Sequence, residues 1–356
     1  MSARAWPILA LVAAALVVPG GAAASAPVDF AGGLTNPRHV RFGPDGLLYV
    51  AEAGIGGDRP ATTCPPVDNQ FTQDGPYLGG YSGRISRIWP NGARETVADH
   101  LPSTHDGLGD GFGPSDLAWI DGRMYAVIEG GGCSRGLPDD PAGIVRIRRD
   151  GSYRYVADIS AFVRANPVLN EPLCGPLGDC EPDGVPHSLL AVGDLLYVVE
   201  TNHNSVLRVN PRTGGVKRLY DLSVEDPAPI ILARRGQRFY LGGFDGLIQS
   251  FDDRLGPVRT VDEGYGPIVD MTFDRARLYV LETFAAETPW EPGTGRVVRS
   301  DRRGDRTAVA SGLTFPIGMA RARGWGYGDA LYLSTVSYGQ GPVEGLGRIV
   351  RVRLGR

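Results

Sequence analysis

Histidine and acidic side chains recur at two places in this chain, at the start and at the end of short apolar segments. The segments start near His39, Asp116, His187 and Asp270. They end at Glu52, Glu129, Glu200 and Glu282. An amide, Asn202, lies two residues beyond the third of these glutamates. Carboxylate and carbonyl oxygens bind Ca²⁺, and carboxylates and imidazoles hold divalent ions that activate water. If the segments converge, these residues predict a site for Ca²⁺, another divalent cation or an organic ligand.

A structural role competes with this prediction. A carboxylate at the end of a strand can accept backbone N–H bonds from the following turn. Four repeats carry the glutamate, which favours a repeated structural device over a single asymmetric site. His39 and His187 are interpreted as equivalent positions of two repeats, where they can line a channel without taking part in chemistry.

Two further motifs indicate turns. The segment 106–113 reads DGLGDGFG and has two aspartates, but it lacks the D-x-D-x-D-G order of a calcium-binding EF loop. The segment 80–84 reads GYSGR, and its Ser82 stands at the entry to a predicted strand. A serine nucleophile of the G-x-S-x-G type stands between a strand and a helix. The sequence therefore shows no nucleophile elbow of the G-x-S-x-G type.

The apolar segments belong to a repeat of about 40 residues. Each repeat opens on a proline and places a tyrosine in its second strand, with Pro-to-Tyr spacings of 12, 11, 11, 11, 12 and 16. The six prolines and then the six tyrosines are Pro37, Pro114, Pro186, Pro229, Pro267 and Pro316, and Tyr49, Tyr125, Tyr197, Tyr240, Tyr279 and Tyr332. Alternating third strands such as SVLRV (205–209) follow, then a turn and a fourth strand.

Six four-stranded antiparallel units predict an all-β, six-bladed β-propeller, because one such sheet cannot bury both of its faces alone. The last repeat stops after its third strand. The segment 28–37, VDFAGGLTNP, aligns with 307–316, TAVASGLTFP, which is the fourth strand of repeat 5 entering repeat 6. We therefore expect the N-terminal strand to complete blade 6 and to remove the exposed edges.

The long insertions are predicted on one face of the propeller. Residues 53–82 and 130–142 connect second to third strands, and residues 102–113 and 161–185 connect neighbouring blades. Long loops of this kind often carry function. All four cysteines lie in these insertions, and we favour the disulfides Cys64–Cys133 and Cys174–Cys180. Three connectivities are formally possible. A cysteine metal site is the other alternative, but the spacing is not of the C-x-x-C type.

Composition and the N-terminus indicate export. Residues 1–24 contain one arginine, an apolar run at 6–18 and a small-residue site at 22–24, which is typical of a secretory signal peptide. Residues 25–356 then form one propeller domain. No later segment has the ~20 apolar residues of a membrane span. The net charge of −4 argues against nucleic acid as a partner. We expect a secreted monomer.

Several segments resemble known propellers. The unit 195–214 is similar to NHL-type and lactonase-type repeats, and residues 33–52 are similar to the opening of quinoprotein sugar dehydrogenases. Over the mature chain, the segments 79–88, 105–118 and 181–190 resemble the ScyD/ScyE family of exported proteins. That resemblance implies an exported propeller of undefined biochemistry.

Three functions follow. The first is a binding or scaffold protein that holds a small molecule, or an extracellular protein or glycan, on the loop-rich face. The second is a lactonase, esterase or lyase with a divalent ion on the axis, where the ion lowers the pKa of its bound water. The third is a quinone-cofactor dehydrogenase, which needs a histidine base and a cationic clamp for the cofactor.

Overall fold

The computed structural model describes residues 26–354 except 63, 65, 66, 71, 74, 276, 302, 325 and 339–343. The predicted signal peptide lies outside these residues. Six antiparallel sheets, each built on four main strands, follow one another along the chain, and each first strand contacts the first strands of its neighbours. This arrangement confirms the six-bladed β-propeller.

The strands of blades 1 to 3 follow in chain order. Blade 1 contains Pro37–Phe42, Leu48–Glu52, Leu78–Ile88 and Arg94–His105. Blade 2 contains Pro114–Ile120, Arg123–Ile128, Gly143–Ile147 and Tyr153–Asp158. Blade 3 contains Pro186–Val192, Leu195–Glu200, Ser205–Val209 and Val216–Asp221.

Blades 4 to 6 have the same order, except that the last strand of blade 6 comes from the N-terminus. Blade 4 contains Pro229–Arg235, Arg238–Gly243, Ile248–Asp252 and Arg259–Asp262. Blade 5 contains Ile268–Asp274, Arg277–Glu282, Gly295–Ser300 and Arg306–Leu313. Blade 6 contains Met319–Arg323, Asp329–Thr335, Gly347–Arg353 and Val28–Leu34.

The N-terminal strand closes the ring as predicted. Val28–Leu34 pairs antiparallel with Gly347–Arg353, and Leu34 lies opposite Gly347. Leu34 is fully buried, whereas Val28 at the other end of the strand is exposed. Pairing between the two ends of the chain covers the strand edges that an open blade would expose.

The core lies between neighbouring sheets. Between blades 3 and 4, for example, Val199 and Leu232 pack with Phe239 and Phe251, and the two phenyl rings stack with centroids 4.9 Å apart. Alternation of apolar and polar residues in each strand supplies these buried faces. Because every blade packs against two others, the ring holds the starts of the six inner strands in a fixed arrangement around the axis.

Short strands and helices within the insertions lie on the loop-rich face of the ring. They are the strands Arg59–Pro60 and Gly111–Phe112, the 3₁₀ helix Cys133–Arg135 and the α-helix Ile159–Ala165. The α-helix is capped by Asp158, whose carboxylate accepts the Ala161 N–H at 2.7 Å. Within the described residues, none of the helices is long and apolar enough to cross a membrane.

Both predicted disulfides are present. Cys64 pairs with Cys133, with Cα atoms 5.7 Å apart, and this bond joins insertions of blades 1 and 2. Cys174 pairs with Cys180 within the insertion that precedes blade 3, at a Cα separation of 4.9 Å. Two disulfides fit a protein that folds in an oxidising compartment.

Candidate functional site

A cavity of about 380 Å³ opens at the mouth of the central channel on the loop-rich face. The inner strands contribute Arg38, His187, Ile230 and Val269, and Ile317 lies just before the inner strand of blade 6. The connections and insertions contribute the other lining residues, which include Gln70, Asp106, Asp110, Phe112, Asp179, Glu181, Asn202, Ala228, Phe244, Trp290 and Tyr338. The long insertions predicted to share a face therefore meet in one cavity.

The walls of this mouth differ in chemistry. Insertions next to blades 1 to 3 supply a wall rich in carboxylates, namely Asp106, Asp110, Asp179 and Glu181. Blades 4 to 6 supply an apolar and aromatic wall. On this wall Trp290 is 60% exposed, and its ring centroid lies 6.3 Å from that of Phe244 and 6.1 Å from that of Tyr338. Such a mouth is complementary to a ligand with an apolar body and a neutral or cationic polar end.

Glu129 and His187 form a buried pair in the mouth. His187 Nδ1 lies 2.9 Å from Glu129 Oε2, and Arg38 Nε lies 3.5 Å from Glu129 Oε1. Although burial acts to raise the pKa of Glu129, Arg38 and His187 hold that pKa below its ordinary value. Glu129 is therefore ionised and accepts the proton that His187 Nδ1 carries.

Glu52 and Glu200 have a different role from Glu129. Glu52 accepts the Thr35 N–H at 2.9 Å and the Ser86 hydroxyl. Glu200 accepts the Val185 N–H at 2.6 Å and the His203 N–H at 2.9 Å. Each of these two carboxylates thus accepts a backbone N–H from the segment just before the first strand of its own blade, and Glu200 also accepts one from the turn that follows it.

Glu282 and Asn202 are also held by protein groups. Glu282 Oε2 accepts from Arg296 Nε at 2.6 Å. Asn202 lines the mouth, where its Oδ1 accepts the Glu181 N–H at 2.9 Å.

His39 lies below the mouth, fully buried among the inner strands. Its Nδ1 and Nε2 are each 3.2 Å from a backbone carbonyl, of Ser115 and Val269 respectively. Burial lowers the pKa of His39, since desolvation disfavours the imidazolium. Its ring centroid is 5.2 Å from that of His187. His39 therefore supports the ring of His187 and does not line the cavity.

The register corrects the equivalence of the two histidines. Arg41 pairs with Tyr49 and Leu190 pairs with Tyr197, and both partners lie four residues after the proline of their repeat. His187 therefore matches Arg38, and His39 matches the residue after His187. Counting back from the tyrosine misleads because the first hairpin of blade 1 is one residue longer.

Asp116 and Asp270 do not project near the loop-rich face, contrary to the sequence expectation. They clamp the guanidinium of Arg41, at 2.9 Å and 2.8 Å. Each also accepts backbone N–H groups, from Leu189 in one case and from Met319 in the other. Asp270 and Arg41 line a second cavity, of about 570 Å³, which is bordered by the 43–46 turn at the opposite end of the channel.

The candidate metal ligands are therefore dispersed. Asp116 and Asp270 are neutralised by Arg41, Glu52 and Glu200 bind backbone, and Glu129 binds Arg38 and His187. Across the part of the chain that the structure describes, no group of three or more His, Cys, Asp or Glu side chains has the spacing of a metal site. The residues present do not fit the axial divalent ion of the sequence hypothesis.

Sequence reasoning missed the buried ion pair that organises the mouth. Arg135 Nη2 lies 2.8 Å from Glu181 Oε2, and the arginine is fully buried. Arg135 also donates to the carbonyls of Glu129 and Gly184, the latter at 2.9 Å. Burial opposes its charge, but Glu181 and other nearby groups raise the pKa of Arg135. The only sign of this role in the sequence is that Arg135 lies two residues after Cys133 in the 130–142 insertion.

Tyr77 and Asn69 complete this cluster. Tyr77 donates its hydroxyl proton to Glu181 Oε1, and Asn69 Nδ2 lies 2.9 Å from the same oxygen. Because these groups come from insertions that are far apart in the chain, the cluster joins the loops of blades 1, 2 and 3 into one wall.

Two carboxyls of the mouth titrate near neutrality. Desolvation, followed by the charge of Glu181, raises the pKa of Asp179 to about 7. Desolvation also raises the pKa of Asp106 to about 6, against the backbone N–H bonds that it accepts. The negative charge of this wall therefore depends on pH between about 5 and 8.

Comparison with known proteins shows the fold. No family model and no curated protein sequence matches this chain. A gluconolactonase from Xanthomonas campestris is 13% identical with a TM-score of 0.50, over 94% of this chain and 98% of the other.

Two further solved structures superpose to a similar extent. A putative oxidoreductase (glucose dehydrogenase) from Thermus thermophilus is 17% identical with a TM-score of 0.52, over 91% of this chain and 98% of the other. A structure described as a putative gluconolactonase is 12% identical with a TM-score of 0.52, over 94% and 96%. At these identities the likeness concerns architecture. The chain therefore shares the β-propeller fold of these proteins, while membership of the ScyD/ScyE family stays a prediction.

Proposed function

We propose that this chain is an exported β-propeller that binds a small organic ligand in the mouth of its channel, with the apolar part of the ligand against Trp290 and its neutral or cationic end against the carboxylates. The single observation that supports this function is the two-sided cavity, apolar on one wall and acidic on the other. Ligand pockets commonly combine an apolar lining with a few placed polar groups. A mouth of about 380 Å³ suits a small molecule better than a folded protein.

The preference for a cation is tested by a matched set of aromatic probes. Phenyltrimethylammonium, benzyl alcohol and benzoate carry a positive, a neutral and a negative end on one ring. At pH 8 we expect the cation to bind at least about tenfold more tightly than benzoate, as a single ion pair of about 1.4 kcal/mol would give. Isothermal titration calorimetry measures the affinities. Equal affinities, or tighter benzoate binding, would contradict the proposal.

Tryptophan variants locate the binding. Trp290→Ala should weaken binding of phenyltrimethylammonium, because the phenyl ring of the probe loses the aromatic surface against which it packs. Trp89→Ala is the matched control, since Trp89 is partly exposed at the end of the third strand of blade 1, away from the mouth. An equal effect of both substitutions would mean that the probe binds elsewhere.

Binding of the cation should decline as the pH falls. Asp179 and Asp106 have raised pKa values, of about 7 and about 6, so both carboxylates are charged at pH 8 and become protonated between pH 7 and 5. We expect the dissociation constant of phenyltrimethylammonium to rise severalfold over this interval. Asp179→Asn should remove the part of the dependence near pH 7. A dissociation constant that does not change from pH 8 to 5 would show that these carboxyls do not interact with the ligand.

A hydrolase is the second candidate, and the observation that favours it is the Glu129–His187 pair in the same mouth. In the form predicted from the sequence, this enzyme would use a divalent ion. Metal analysis of the purified protein tests that form, and less than stoichiometric Ca²⁺, Zn²⁺ or Mn²⁺ would exclude it. The dispersed carboxylates lead us to expect that result.

The quinone-cofactor dehydrogenase has weaker support. A cationic clamp for an anionic cofactor is required, but among the described residues that line the mouth Arg38 is the only arginine or lysine, and it already contacts Glu129. Glu181 on the facing wall is paired with Arg135, but the carboxylates of Asp106, Asp110 and Asp179 on the same wall would repel such a cofactor.

A further inference from the structure

We propose that Glu129 and His187 form a general-base pair with which this propeller hydrolyses neutral or cationic carboxylic esters without a metal ion. The inference deepens the proposed function, since it requires the ligand to occupy the same mouth. It assigns a reaction to that mouth, and it makes His187 the catalytic residue and Glu129 a positioning residue.

The pair fixes the tautomer of His187. A carboxylate has no proton to donate, so the 2.9 Å contact places a proton on His187 Nδ1. In the neutral imidazole, Nε2 then carries the lone pair and can accept a proton. A histidine oriented by a carboxylate in this way is the base arrangement of many hydrolytic sites.

The accepting nitrogen has no partner among the described residues. His187 is only 7% exposed, it lines the cavity, and its Nε2 makes no hydrogen bond. A buried acceptor without a partner costs about 1–3 kcal/mol. A water molecule or a substrate hydroxyl in the mouth would remove that cost, and such a molecule is the one that a base deprotonates.

Other buried histidines differ in this respect. Both ring nitrogens of His39 lie 3.2 Å from carbonyl oxygens. His203 also pairs with a glutamate, at 3.1 Å from Glu200, but its Nε2 faces the carboxylate of Glu171 at 3.8 Å. His203 does not line the mouth and provides a matched comparison.

The reaction needs no co-reactant except water. His187 Nε2 takes a proton from a water molecule while the water oxygen forms a bond to the ester carbonyl carbon. The tetrahedral intermediate then breaks its bond to the alcohol oxygen, which receives the proton from His187, and the products are a carboxylic acid and an alcohol. Arg38, held at the other oxygen of Glu129, provides positive charge near the developing oxyanion.

The walls of the mouth define the substrate class. Trp290, Phe244 and Ile317 favour an apolar or aromatic portion, and the carboxylate wall disfavours an anionic ester. The same wall repels the carboxylate product and so assists its release. We therefore expect the order cationic, neutral, anionic in kcat/KM.

The test uses 4-nitrophenyl esters whose acyl chains end in a trimethylammonium, a methyl or a carboxylate group, with a chelator present. We expect turnover of the first two, and a kcat/KM for the carboxylate ester lower by about tenfold or more. His187→Ala should lower kcat/KM about 100-fold or more, the usual contribution of a general base. Added imidazole should restore part of the loss beyond its own hydrolysis of the ester in a protein-free control, which a merely structural histidine would not permit.

Glu129→Gln tests positioning through the split between kcat and KM. Without the carboxylate, His187 is no longer held with its proton on Nδ1 and its lone pair toward the mouth, so kcat should fall by about tenfold or more while KM changes little. His203→Gln is the control and should keep the kcat and KM of the unmodified protein.

The outcomes separate the two proposals. Unchanged turnover in His187→Ala, no rescue by imidazole, or loss of activity with the chelator would overturn the general-base assignment. If phenyltrimethylammonium binds as expected but no ester is hydrolysed faster than by His187→Ala, the binding function stands and the catalytic inference fails. If the probe does not bind, the proposed function fails as well.

Discussion

Replacing Arg135 with methionine is expected to lower the free energy of unfolding by about 3–5 kcal/mol. The guanidinium is fully buried and is the partner of Glu181, so its removal leaves a buried carboxylate without its counter-ion. The carbonyls of Glu129 and Gly184 also lose a donor. Guanidinium denaturation followed by circular dichroism measures the change.

The control for this substitution is Arg212→Met. Arg212 pairs with Asp194 at 3.0 Å, but both side chains are about two-thirds exposed, and such surface pairs contribute about 0–1 kcal/mol. The double variant Arg135→Met with Glu181→Met should be less destabilised than the sum of the single variants, because it leaves no unpaired charge. A loss of less than about 1 kcal/mol in Arg135→Met would show that the ion pair does not hold the insertions together.

Removing residues 26–34 is expected to destabilise the whole ring. The deletion loses the buried Leu34 side chain, worth about 2–5 kcal/mol, and the ladder with Gly347–Arg353, at about 1 kcal/mol for each hydrogen bond. It also exposes the edge of that strand, so we expect association in solution. Thermal unfolding and size-exclusion chromatography measure the two effects.

A peptide with the sequence of residues 26–36, added to the truncated protein, should restore part of the stability by pairing with the open blade. Two point variants provide a graded control within one strand. Leu34→Ala should cost about 2–5 kcal/mol, whereas Val28→Ala, at a 53% exposed side chain, should have little effect. A truncated protein with unchanged melting temperature would mean that the ring does not depend on this closure.

The function of the channel mouth depends on these same elements. Arg135 binds the Glu129 carbonyl, and the Glu129 side chain orients His187, so the buried cluster and the candidate base share a backbone segment. We therefore expect Arg135→Met to weaken ligand binding as well as stability. Trp290, on the opposite wall, is independent of this cluster.

The repeat and the closing strand can be read from the amino-acid sequence. Proline and tyrosine recur with strand periodicity, so the blades can be counted from the chain, and the similarity of 28–37 to 307–316 identifies the closing strand. The same repeats assign each cysteine to a particular insertion and so favour one disulfide pairing among three, which the structure confirms. All of these properties rest on local pattern or on the order of blades.

Which polar residues can take part in chemistry depends on contacts between blades. Glu129 and Glu200 end corresponding strands and are the same residue type, yet Glu200 accepts backbone N–H groups and Glu129 meets Arg38 and His187. The alignment of the inner strands of blades 1 and 3 also comes from the structure, since one extra residue in the first hairpin of blade 1 shifts His39 relative to His187. Asp116 and Asp270 meet Arg41, which belongs to a different blade from either of them. A side chain's partners across the axis come from other blades, and no local pattern encodes those distances.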